Sequence, residues 1–110
     1  MKRHLIYSDE YIEFAQSCSK RVQNKLLYAT SILESIKIVS SKFVKKLVGT
    51  DFYELRISVD NEIRVILFAI DHEDINIANN ILFLNGFIKK DTKDYKKEVD
   101  KAMVILRRIL

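Results

Sequence analysis

The hydrophobic spacing of this chain changes period near residue 50, and that change restricts the fold more than any other feature. Before it, Tyr11, Phe14, Ala15 and Cys18 recur at helical intervals, as do Val22, Leu26, Ala29, Leu33 and Ile36. Lys20, Arg21, Gln23, Asn24 and Lys25 fall mostly on the other side of that second helix. Ser8-Asp9-Glu10 supplies an N-cap and first-turn acids, and Ser17–Ser19 separates the two helices. After the change, Tyr53, Leu55, Ile57 and Val59 alternate with Glu54, Arg56 and Ser58, as the two faces of a strand require. Ile63–Ile70 and Ile81–Ile88 read as two further strands, and His4–Tyr7 as a short one opening the sheet. The acidic stretch Asp71–Asp74 is a loop. A last helix carries Val99, Ala102, Met103, Leu106 and Leu110 on one face. The expected class is α+β: residues 1–110 as one domain, a small antiparallel sheet, an N-terminal helical hairpin on one face and a C-terminal helix.

The hairpin around Asp60-Asn61 has two simple registers. A two-residue loop pairs Ile57 with Arg64 and sets charges among core side chains. A three-residue loop, Asp60-Asn61-Glu62, pairs Val59 with Ile63, Ile57 with Val65, Leu55 with Leu67 and Tyr53 with Ala69. One face is then wholly apolar, so this register is expected. It gathers Glu54, Arg56, Ser58 and Arg64 on the other face, with Arg64 opposite Ser58 and the helices leaving that face partly open.

Composition narrows the functional classes. With 48% apolar and 31% charged residues, no proline and two glycines, the chain is neither disordered nor a fibrous or linker-type sequence. The net charge is +4, and the excess lies in the first fifty residues. That surplus suits an RNA or an acidic protein partner but selects neither. Cys18 is the single cysteine and reads as a structural thiol, with no intramolecular disulfide to make. The N-terminus carries no signal peptide and no apolar run reaches the roughly 20 residues of a membrane span, so a cytoplasmic location and no membrane partner are expected. His4 stands apart, and His72 lies among consecutive acids that cannot all converge on one ion, so no metal and no cofactor is expected. Tyr7, Tyr11 and Phe14 read as core residues.

The stretch Leu47-Val-Gly-Thr-Asp-Phe-Tyr-Glu-Leu-Arg56 is followed by a hairpin and then Arg64-Val65-Ile66-Leu67-Phe68. Gly86-Phe87-Ile88-Lys89-Lys90 closes the third strand, and the last helix has an early acid, Glu98, and a central Ala102. In this order and spacing, the segments resemble the RelE/ParE toxin superfamily, in particular its HigB-like, phage-derived branch. The sequence departs from that pattern at Asn85, where the family often has His, and at Ile63, where an aromatic usually precedes the Arg. Asp94-Tyr95 replaces Thr-Pro, and the loop at 71–80 is long.

The resemblance implies a type II toxin–antitoxin toxin that cuts messenger RNA on the ribosome and is neutralised by a cognate antitoxin, expected to be a helix-turn-helix protein. Such a cut needs a base for the 2′-hydroxyl, cations for the phosphorane and an acid for the leaving 5′-oxygen. The expected catalytic residues are Arg56, Arg64, Glu54 and Lys90, with Lys89, Lys93 and Tyr95 binding RNA. The two guanidinium groups suit the phosphorane. Glu54 is the candidate base, or it orients Arg56. Lys89 and Lys90 hold the backbone or protonate the leaving group, and Tyr95 stacks on a base or donates a proton. Asn85 removes an imidazole from the scheme. Two alternatives accompany this reading. One is a ParE-like gyrase poison, which has no need of a phosphorane site. The other is a degenerate relative that binds its partner without catalysis.

Overall fold

In the computed structural model, which describes residues 2–110, the elements follow in the order β1 (His4–Tyr7), α1 (Asp9–Ser17), α2 (Lys20–Ser35), β2 (Val44–Lys46), β3 (Tyr53–Val59), β4 (Asn61–Ala69), β5 (Asn80–Ile88) and α3 (Asp94–Ile109). The five strands form one sheet in the order β1-β5-β4-β3-β2. Its inner pairs are antiparallel, but β1 runs parallel to β5, so the sheet is mixed where an antiparallel one was expected. A parallel neighbour needs a long crossover, and everything from α1 to β4 supplies it. β2 escapes detection in the sequence because three residues, two of them lysines, show no alternation.

Ser8 caps α1: its Oγ accepts from the Tyr11 amide at 3.0 Å and donates to the Leu84 carbonyl. Ser19 caps α2 by accepting from the Val22 amide. Both helices lie on one face, α1 mainly against β5 and α2 against β3, so they form less a mutually packed hairpin than two consecutive helices on one sheet. Tyr11, Leu26, Leu33, Leu55, Val65 and Phe83 fill the layer beneath them. Each such side chain contributes about 1.5–3 kcal/mol by leaving water. On the opposite face α3 covers Phe52, Ile66, Leu82 and Leu84. The face it buries runs through Tyr95, Val99, Ala102, Ile105 and Leu106. Met103 and Leu110, expected in that stripe, are exposed, and Ile105 takes their place.

The β3–β4 turn is tighter than expected. Val59 pairs with Asn61, Ile57 with Ile63, Leu55 with Val65 and Tyr53 with Leu67, a shift of two residues from the three-residue register. Asp60 makes this possible by adopting φ 62°, a left-handed conformation that Asp tolerates better than most residues. A two-residue shift keeps every side chain on its predicted face. Arg64 consequently faces Arg56 and not Ser58, and Ser58 faces Glu62.

Candidate active site

The charged side chains of β3 and β4 lie on the face that α3 covers. Two arginines directly opposite one another repel, and Glu54 compensates for both. Its Oε1 lies 3.4 Å from the Arg56 Nε and 3.9 Å from the Arg64 Nε. Glu54 and Arg64 are 4% and 3% exposed, so the face expected to be partly open is closed over these two groups. Tyr95, in the first turn of α3, closes it: its hydroxyl accepts from the Arg64 Nε at 3.1 Å. Arg64 also donates to the Ile63 carbonyl at 3.0 Å and to Glu62 Oε1 at 3.1 Å. Arg56, on the outer side, keeps about a third of its side chain in solvent.

Burial disfavours the charge on Arg64, but hydrogen bonds to Tyr95 and Glu62 and the nearby Glu54 charge outweigh it and raise the pKa above the usual arginine value. Burial also raises the Tyr95 pKa, and its contact with Glu54 adds to that, against the opposing pull of Arg64. Tyr95 is therefore a neutral phenol at physiological pH, able to donate a proton and unsuited to accepting one. Phe87 meets the Tyr95 ring edge-on at 5.5 Å, and the Lys89 ammonium lies 5.5 Å from the centre of that ring. Lys90 and Lys93 are exposed. Their backbone amides donate to Asp94 at 2.9 Å and to Asp91 at 3.1 Å, which ties the loop before α3 and leaves both ammonium groups outside it.

Glu54, Arg56, Arg64, Tyr95 and Lys89 thus come together, with Lys90 and Lys93 on the adjoining loop. Lys45 joins them from β2. It pairs with Glu54 across the sheet and so shares its face, and it is exposed. It went unnoticed in the sequence because β2 did.

Asn85 owes its position to an irregularity in the sheet. Between the pairs Ile66–Asn85 and Leu67–Phe83 the register slips, leaving Leu84 as the extra residue of a bulge. The bulge brings Asn85 beneath α3, where its Nδ2 donates to the Glu98 carbonyl and to Glu98 Oε1, both at 3.1 Å. At 1% exposure it meets no substrate in this arrangement. Two buried acceptors, Glu54 Oε2 and Asn85 Oδ1, have no partner among the described residues. They flank Ile66 in one row across the sheet.

This geometry can be compared with known proteins. The model of the family described as phage derived protein Gp49-like matches residues 13–107. The chain belongs to that family.

The Gp49-like chain has the fold of solved RelE structures. A double-arginine mutant of the E. coli toxin RelE in the free state superposes with a TM-score of 0.63, at 18% identity and over 100% of both chains. The isolated E. coli RelE toxin gives 0.57 at 19% identity, over 98% of this chain and 99% of that one. A chain of the intact E. coli RelBE toxin–antitoxin complex gives 0.57 at 16% identity, covering 81% and 99%. No curated protein matches significantly. Family and fold agree with the RelE/ParE resemblance. On α3, Glu98 holds Asn85, and Ala102 is fully buried where the helix approaches the sheet.

Elsewhere, the His72 Nδ1 accepts from the Asp74 amide at 2.9 Å, a loop contact. Cys18 donates to the Phe14 carbonyl at 3.2 Å, and burial raises its pKa. No helix among the described residues is long and apolar enough to cross a membrane.

Proposed function

We propose that this chain is the toxin of a type II toxin–antitoxin pair, a cytoplasmic endoribonuclease that cuts translated messenger RNA on the ribosome without a metal and is silenced by a cognate antitoxin. One observation carries the reading: an acid, two arginines and a tyrosine meet at the start of α3, with Lys89 against the tyrosine ring, on a RelE fold, in a Gp49-like chain.

Arg56, the half-buried Lys89 and the exposed Lys45, Lys90 and Lys93 bind the RNA backbone. Entry of the strand displaces the Tyr95 ring from above Glu54 and Arg64. Glu54 takes the proton of the 2′-hydroxyl, whose oxygen attacks the adjacent phosphorus. Arg56 and Arg64 stabilise the phosphorane. The 5′-oxygen then leaves with a proton from Tyr95 or Lys90, giving a cyclic 2′,3′-phosphate and a free 5′-hydroxyl. A relative that only binds its partner is the second reading. The burial of Glu54 and Arg64, and Asn85 in place of the family's His, favour it.

Induced expression tests the proposal. The wild-type chain should arrest growth and yield fragments of translated messages. Arg56→Ala should lower cleavage about 100-fold with the unfolding midpoint little changed. Intact messages with arrested DNA replication would select a gyrase poison, and absence of toxicity would select the partner-binding reading.

A further inference from the structure

We infer that Glu62 is a positioning residue for Arg64, with Ser58 holding Glu62 in turn; the inference rests on the nuclease reading for its catalytic meaning. An acidic side chain beside a site for an anionic strand is otherwise a liability, so its presence needs a reason. The reason is in the donor inventory of Arg64. A guanidinium has five N–H groups. One goes to Tyr95, one to the Ile63 carbonyl and one to Glu62 Oε1. Among the described residues, one N–H on each terminal nitrogen remains without an acceptor, which suits two oxygens of a phosphorane. Of the three anchors, Tyr95 moves when RNA enters, which leaves the Ile63 carbonyl on Nη1 and Glu62 on Nη2. Two held nitrogens fix the plane of the guanidinium, and Glu62 supplies the second of them.

Glu62 is itself held. Its Oε2 accepts from the Ser58 hydroxyl at 2.5 Å, so both carboxylate oxygens are occupied from opposite sides. Ser58 and Glu62 are direct cross-strand partners, a relation created by the tight turn at Asp60. The Glu62 carbonyl accepts from the Lys89 amide at 2.7 Å, which ties the same residue to the end of β5. Hydrogen bonds from Ser58 and then from Arg64 hold its pKa below the ordinary carboxylate value, and the charge persists throughout the neutral range.

The test compares Glu62→Ala, Glu62→Gln, Ser58→Ala and the double variant Ser58→Ala/Glu62→Ala in ribosome-dependent cleavage of a defined message. Misplacing the guanidinium should lower kcat about tenfold in Glu62→Ala, with KM unchanged or reduced. Glu62→Gln keeps an acceptor oxygen and should recover most of the rate. Ser58→Ala should act in the same direction, and the double variant should be no slower than Glu62→Ala alone. A Glu62→Ala protein that cuts as fast as the wild type, or faster, would overturn the inference, since relief of repulsion is all a rim carboxylate predicts. If the wild type does not cut at all, the nuclease reading fails separately. The Arg64 Nε–H resonance in a Tyr95→Phe background, where the hydroxyl no longer holds that nitrogen, then decides the positioning role: sharp with Glu62 present and averaged in Glu62→Ala supports it, and no change refutes it.

Discussion

Gly86 lies against the ring of Phe14, and a Cβ at this position would sit 2.3 Å from the Phe14 Cδ2. No side chain fits without displacing that ring, because Gly86 is within β5 and Phe14 is held between α1 and the sheet. Gly86→Ala should cost about 1–3 kcal/mol of stability by overpacking. Chemical denaturation checks this, and adding Phe14→Leu should return part of the loss. A double variant no more stable than Gly86→Ala would show that the ring is not the obstacle. Arg3 shows the opposite kind of single-residue control. Its buried guanidinium donates to the carbonyls of Leu33, Ile36, Lys37 and Ile75, ending α2 and holding the loop before β5. In the sequence Arg3 is one more cation near the N-terminus. Its role is invisible there because its partners are all backbone, and backbone carbonyls leave no trace in residue identity.

At the scale of the element, α3 decides how the site is presented. Its buried stripe is short, and Ile105 is central to it, packed with Phe52, Leu82 and Leu84. Ile105→Ala should cost about 2–5 kcal/mol. Because Tyr95 is on the same helix, the loss should also weaken the cover over Arg64. Hydrogen exchange of the α3 amides against those of β4 measures both effects. Equal acceleration in the two elements would mean that α3 unfolds only with the whole chain. Periodicity located α3 to within a few residues, but it misassigned part of the buried face. Met103 and Leu110 match the apolar pattern as well as Ile105 does, and the choice among them belongs to the sheet beneath. The strands show the same division. Alternation assigned the faces of β3 and β4 and so brought Glu54, Arg56 and Arg64 together. The register depended on Asp60 taking a left-handed conformation, which the alternation does not encode. β2, and Lys45 with it, was too short to read. Asn85 reached its buried place through a bulge that a regular β5 pattern conceals.

At the scale of the whole molecule, an ion pair joins the two helical layers that lie on opposite faces of the sheet. Arg108, in the last turn of α3, donates to both oxygens of Glu10, in the first turn of α1, at 2.6 and 2.7 Å. Each charge also sits at the helix end whose dipole favours it. Together with Tyr95 on Arg64, this pair fastens α3 at both ends. The hydrogen bond from Arg108 is the largest cause of a Glu10 pKa below the ordinary value of 4.5. Since the group is more acidic in the folded chain, its stabilising effect is complete above the unfolded pKa and disappears as the pH falls through the folded one. Arg108→Ala should therefore unfold at a lower temperature than the wild type at neutral pH, and the two midpoints should converge as the solution is acidified below about pH 4.5. Added salt should narrow the neutral-pH gap, because both groups are reached by solvent. A gap that stays constant into acid would mean that Arg108 acts through its aliphatic packing, and the tie between the first and last helices would then not be electrostatic.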